Sequence, residues 1–211
     1  MNVFVIESPN PYDLLDGRNE ADSLVNICKM FGHKAVSFFV KNRMEFQSAI
    51  KYVADVEAKS GDLFCYHLSC HGNDSGVAFG PDFLDWEKLA ISIIPILENT
   101  SLKNKSIMII SACGANEQEL TGKISGLDEK AKSSIAPPSY IFVYDESEVK
   151  WNDALLSWAI LYHKLGKVRK IDKSEIQELL KGMDLLEFGK LIYFRWDENK
   201  QKYLRFKPND N

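Results

Sequence analysis

Apolar and polar residues along this chain alternate between two periods. Residues 3–6 form a short apolar run that ends at Glu7-Ser8-Pro9, the signature of a buried strand stopped by turn residues. Residues 21–31 carry Leu24, Ile27, Cys28 and Phe31 at helical spacing and stop at Gly32. Residues 36–40 read as a second strand, and Phe46, Ile50, Val53 and Val56 recur at three and four residues, which predicts a helix. Gly61-Asp62 then release a third strand over 63–69, and residues 84–97 predict a helix that Pro95 kinks or ends. Residues 107–110 and 140–144 are further strands, and 151–165 and 173–183 are helical by period. Residues 191–196 and 203–206, separated by Asp-Glu-Asn-Lys, predict a terminal hairpin.

Strands that alternate with helices, each strand a continuous apolar run, predict an α/β three-layer sandwich. Its sheet is mostly parallel and flanked by helices, with the hairpin added at the end. No repeat, low-complexity tract or linker divides the chain, so one domain is expected over residues 1–211, with a core of about 1–185. Ligand sites in such folds lie at the carboxyl ends of the strands. That rule selects the loops after Ile6, Ser69 and Ile110.

Composition narrows the class. At 45% hydrophobic and 27% charged residues, the chain is neither disordered nor collagenous. A net charge of −4 advertises no basic face for nucleic acid. The apolar runs 91–97 and 107–110 fall far short of the roughly 20 residues of a membrane span. The opening Met-Asn-Val-Phe-Val-Ile has no basic start and no small-residue cleavage site, so it does not read as a signal peptide. Four cysteines (Cys28, Cys65, Cys70, Cys113) without a CxxC do not make a disulfide framework. The expectation is a cytoplasmic protein with no membrane and no nucleic-acid partner.

The third strand delivers Cys70-His71-Gly72-Asn73 at its carboxyl end, and the fourth delivers Ser111-Ala112-Cys113-Gly114. If the two strands are neighbours, His71 and Cys113 emerge side by side, with room between them in sequence for the helix of a right-handed crossover. A thiol beside an imidazole at an exposed strand end is the arrangement of a nucleophilic cysteine: the histidine takes the thiol proton and later gives a proton to the leaving amine. Gly72 and Gly114 allow a substrate backbone to approach, and the N–H groups of Gly72 and Cys113 are candidates for an oxyanion hole.

These segments resemble the caspase-like cysteine peptidases, the group holding caspases, metacaspases, separase, gingipains and the bacterial CHAT-type domains. The likeness rests on Tyr66-His67-Leu68-Ser69-Cys70-His71-Gly72 and on Ile109-Ile110-Ser111-Ala112-Cys113-Gly114, in that order. Two more segments agree. Leu14-Leu15-Asp16-Gly17-Arg18-Asn19-Glu20-Ala21-Asp22-Ser23-Leu24 resembles the arginine-bearing loop before the first helix, and Lys150-Trp151-Asn152-Asp153-Ala154 with Leu161-Tyr162-His163-Lys164-Leu165 resembles the Trp-x-Asp and Phe-Tyr stretch of CHAT-type members. The resemblance implies a cysteine endopeptidase with Cys113 as nucleophile and His71 as acid/base, with no cofactor. It further implies a protein or peptide substrate and control by an activating partner or a small signalling ligand, as in bacterial cell death or phage defence. Ser111-Ala112-Cys113-Gly114 lacks the Gln and Arg that flank the caspase cysteine, so strict aspartate preference is not implied.

Other readings stand beside this one. Arg18 could hold an acidic substrate side chain bidentately, or pair with Glu20 or Asp22 and anchor the first helix. Asp13, Asp16, Asp145, Glu146 and Glu148 could instead line a pocket for a basic residue, with Ser111 and Trp151 as further pocket candidates. His67, mid-strand and on the face of Cys65 and His71, reads as a satisfied core histidine, although those three could also be arranged around zinc. The charge mix over 164–173 is a solvated face. A non-catalytic module of the same fold, binding a partner protein or a signalling nucleotide, is the alternative function. A nucleotide-binding α/β module has little support, because no Gly-rich loop follows Ile6.

Overall fold

A computed structural model describes residues 1–56, 62–131, 134–167, 173–185 and 190–208. The stop at Gly61 and residues 168–172 of the charged run lie outside this set.

Four parallel strands form the centre of the sheet: β1 (Asn2–Ser8), β3 (Phe64–Asn73), β6 (Ser106–Ser111) and β7 (Tyr140–Tyr144). Parallel β2 (Lys34–Phe39) closes one edge. At the other edge stands the antiparallel hairpin β8 (Leu191–Asp197) and β9 (Lys202–Phe206). The main strand order is β2-β1-β3-β6-β7-β8-β9. The central strands are buried on both faces, which is why they read as unbroken apolar runs; edge strand β2 is fully buried only at Ala35. The fold is α/β, with a mixed, mostly parallel sheet flanked by helices.

Strand parity divides the core into two halves. Phe4, Ile6, Tyr66, Leu68, Met108, Ile110 and Val143 face α3 (Arg43–Ala54), α4 (Trp86–Ser92), α5 (Ile94–Leu97) and α6 (Leu120–Lys130). Val3, Val5, Cys65, Ile107, Ile109 and Phe142 face α2 (Ala21–Met30), α7 (Trp151–Leu165) and α8 (Lys173–Leu185). α7 shows why a helix forms there: Ala154, Trp158, Leu161 and Leu165 make one stripe, all buried.

Several elements depart from the periodicity. β3 does not end at Ser69. It runs on to Asn73 and pairs antiparallel with β4 (Gly76–Phe79), which turns into β5 (Asp82–Asp85). The predicted helix over 84–97 is therefore three pieces. Asp85 ends β5 and caps α4 by accepting the Lys88 N–H, α4 stops at Ser92, and Pro95 stands in the first turn of α5, where its missing N–H costs nothing. The short α1 (Pro11–Leu15) and α6, with Gly122 and Gly126 in its middle, carry too little apolar period to be legible. The turn of the hairpin sits one residue later than predicted, because Asp197 stays in β8. No helix among the described residues is long and apolar enough to cross a membrane.

From β1 the chain goes to β2 on one side and then to β3 on the other, so the strand order reverses between β1 and β3. Such a reversal leaves a crevice beyond the carboxyl ends of those strands. The candidate residues gather there.

Candidate active site

Three strand ends build the site. β3 and β6 are parallel neighbours with Ser69 opposite Ser111, so the residues that follow each serine leave the sheet together. His71 and Cys113 line one cavity of about 80 Å³, completed by Cys70, Ser111, Ala112, Val149, Trp151 and Ala154. The Trp151 ring stands edge-on to the His71 imidazole, with centroids 6.3 Å apart. Room of about 80 Å³ corresponds to two or three waters.

The loop after β1 supplies a carboxylate. Asp13 Oδ2 lies 2.6 Å from His71 Nε2, a length typical of a charge-assisted bond. Asp13 is buried, with its side chain 6% exposed against 46% for His71, so a sheltered acid holds a partly open base. A local capping box positions it: Asn10 Oδ1 accepts the Asp13 N–H, and Asp13 Oδ2 accepts the Asn10 N–H. The same box fixes the Asn10 amide, leaving its Nδ2 3.0 Å from His71 Nε2. With Nε2 engaged by the α1 cap, Nδ1 is the nitrogen left for a thiol.

Cys113 has its own partner. The Val149 N–H donates to Cys113 Sγ at 3.4 Å, and the Gly114 N–H donates to the Ser147 carbonyl at 2.9 Å, so the segment after β7 is strapped across the nucleophile. Among the described residues, the Cys113 N–H donates to no backbone carbonyl, as an oxyanion donor requires. Gly114 has φ +70°, and a Cβ there would meet the backbone of Asn73 and Asp74 at 2.3–2.4 Å. A Cβ on Gly72 would meet the Cys113 carbonyl oxygen at 2.8 Å. Both glycines let the β3–β4 hairpin lie against the cysteine loop, a close approach of backbone to backbone.

The other cysteines sit in environments that silence them. Burial pushes the Cys28 and Cys65 thiols up to about 12 and raises Cys70 as well. His67 is fully buried between Trp158 and Tyr162, its Nδ1 2.9 Å from the Tyr162 hydroxyl, and burial lowers it to about 3. Since His67 turns to Tyr162 and His71 to Asp13, the two do not converge on one ion. Among the described residues no group of three His, Cys, Asp or Glu side chains is placed to hold a metal.

The remaining pocket candidates divide. Trp151 and Ser111 are walls of the cavity, whereas Arg18, Asp16 and Asp145 are not. Arg18 pairs with Asp16 at 3.1 Å, both 54% exposed, rather than with Glu20 or Asp22. Asp145 is taken by Arg205 and Lys207 of the C-terminal hairpin region at 3.0 and 2.9 Å. Glu146 and Glu148 line a separate cavity of about 340 Å³ with Asp153, Asp184, Lys150 and Lys190, and Val149 is a wall of both cavities.

Sequence reasoning passed over Asn10 and gave Asp13 a different role. The signal was present: Asn10-Pro11-Tyr12-Asp13 is a capping-box pattern with proline at the first helical turn, and it follows a strand end. No family model matches the chain, and a search of curated proteins finds no match.

Proposed function

We propose that the chain is a cysteine endopeptidase of the caspase-like kind, with Cys113 as nucleophile, His71 as acid/base and Asp13 as the carboxylate that orients His71. The observation that supports this best is the shared cavity of His71 and Cys113 with Asp13 at 2.6 Å behind the imidazole. In that order the three groups form the nucleophile, base and orienting acid of a triad. His71 keeps its Nε2 proton toward Asp13 and accepts the Cys113 proton at Nδ1. The thiolate attacks the scissile carbonyl, the oxyanion meets the N–H groups of Cys113 and Gly72, and the imidazolium gives its proton to the departing amine. Water then hydrolyses the thioester.

The test is alkylation of native protein with iodoacetamide at neutral pH, read by mass spectrometry, together with proteolysis of a denatured protein substrate. Cys113 labels fastest, His71→Ala slows it at least about tenfold, and Cys113→Ala abolishes cleavage. Equal labelling of Cys113 in wild type and His71→Ala sinks the enzyme reading. The Val149 N–H on Cys113 Sγ and the small cavity favour a second reading, a binding module in which the thiol does no chemistry. A Cys113 that stays unreactive after full opening of the 147–149 strap supports that one.

A further inference from the structure

Below the site lies a carboxyl group that the triad does not use. Glu20 stands at the start of α2 and is 2% exposed. The Ser69 hydroxyl donates to Glu20 Oε2 at 2.5 Å and the Ser111 hydroxyl donates to Oε1 at 3.2 Å. Ser69 is two residues before His71 on β3, and Ser111 two residues before Cys113 on β6. One side chain therefore bonds both strands just where they release the candidate catalytic pair. The Trp158 indole N–H donates in turn to Ser111 Oγ at 2.9 Å.

Glu20 is itself held by β1. The N–H groups of Glu20 and Ala21 donate to Glu7 Oε1 and Oε2 at 2.7 and 3.0 Å. Glu7 is fully buried, one residue before the end of the strand whose following loop carries Asn10 and Asp13. Glu7 and Glu20 thus link the three strand ends that supply Asp13, His71 and Cys113.

We propose that Glu20 is a positioning residue of the Cys113–His71 site, holding the ends of β3 and β6 in place through Ser69 and Ser111. This rests on the catalytic reading of Cys113 and His71. Ionised, the carboxyl would still accept from both serines, but among the described residues no cation faces it, so burying that charge strains the packing around the clamp. Around it stand Glu7 of β1, His67 and Cys70 of β3, Tyr144 of β7 and Tyr162 of α7. His67 Nε2 has no hydrogen-bond partner and lies 3.8 Å from Glu20 Oε1, the natural direction for the carboxyl proton. Burial pushes Glu20 up to about 8, against the pull of the two serine hydroxyls. Above that pH a buried carboxylate forms beneath the thiol, and its desolvation cost loosens the two strand ends although both serine hydroxyls still donate to it.

The experiment is the rate of Cys113 alkylation by iodoacetamide between about pH 6 and about pH 9.5 in wild type, Glu20→Gln, Ser69→Ala and His71→Ala. Glu20→Gln keeps a carbonyl acceptor for Ser69, turns its NH2 group toward Ser111 as a donor, and cannot ionise. It labels like wild type below pH 7, and the wild-type rate falls behind it by roughly tenfold above pH 8.5, as expected for a displaced catalytic group. Ser69→Ala removes one bond that holds the carboxyl down, so its alkaline loss begins at higher pH; this reads the clamp even if Glu20→Gln does not fold. Superimposable pH profiles for wild type, Glu20→Gln and Ser69→Ala, with His71-dependent labelling intact, overturn the positioning role alone. Labelling indifferent to His71 overturns it together with the catalytic reading.

Discussion

At the scale of single residues, environment decides which thiol and which imidazole are chemically available. Cys28, Cys65 and Cys70 are buried among apolar side chains that resist a thiolate, while Cys113 is partly open and faces a backbone N–H. In the native protein at about pH 7.5, labelling is therefore expected on Cys113 alone of the four cysteines. Fast modification of Cys28 or Cys65 without unfolding counts against the packing described above. Asp13 serves two purposes, and they separate by measurement. Asp13→Ala removes the capping box, a loss of about 1 kcal/mol of stability in a thermal melt. It also frees His71 to turn, and a slowing of Cys113 labelling by at least about tenfold is expected even after the fold is secured by lower temperature. Arg18→Ala, by contrast, removes an exposed pair with Asp16, so its effect on stability stays below about 1 kcal/mol and labelling of Cys113 is unchanged. A large loss of labelling there reinstates Arg18 in the site.

At the scale of elements, the β3–β4–β5 extension does more than lengthen a strand. It presses the turn after Asn73 against the cysteine loop, and Gly114 is the point of contact. Gly114→Ala puts a side chain into a left-handed conformation and into backbone atoms at once, with an expected cost of at least about 2 kcal/mol by denaturant titration. Gly126→Ala in the middle of α6 meets nothing within 4 Å and is expected to stabilise by about 0.5–1 kcal/mol. A mild Gly114→Ala would show that the cysteine loop can lift away from the hairpin. The strap after β7 is a second element with a measurable role. Val149→Gly removes the side chain shared by the cavities of about 80 and 340 Å³. Bulky maleimides then gain access to Cys113 more than iodoacetamide does; equal gains for both reagents point to a general loosening instead.

At the scale of the whole molecule, the buried Glu20 makes stability depend on pH. Its carboxyl sits at about 8 in the fold, against 4.5 for an ordinary glutamate, so between those values the unfolded chain has released a proton that the folded chain keeps. Stability from this group is complete below pH 4.5 and is lost as pH rises toward 8. Unfolding free energies of wild type should fall relative to Glu20→Gln across that window, by a few kcal/mol in order of magnitude, and run parallel above it. Curves parallel throughout mean that Glu20 is ionised in the native state. Glu7, also raised by burial, acts in the same direction but is common to both proteins, so the difference isolates Glu20.

The sequence by itself determined the layers and the strand ends. Apolar runs such as 3–6, 107–110 and 140–144 are local facts, because a strand buried on both faces needs apolar residues at every position; the resulting α/β alternation put His71 and Cys113 at one edge. The short or irregular elements escaped for a local reason too: α1 is five residues long, and α6 is interrupted by two glycines. What only the tertiary structure decided is which polar groups meet. Asp13 finds His71 across 58 residues of chain, and Glu20 finds Ser69 and Ser111 across 49 and 91. Nothing in the neighbourhood of these residues encodes the partner. Arg18 in the sequence has Asp16 and Glu20 two residues away and Asp22 four, and only the turn of the chain after α1 leaves it with Asp16 while Glu20 goes into the core. Most buried polar atoms are bonded by whatever the register of the sheet brings close, and register is a property of the folded sheet, set by the packing of both core halves at once.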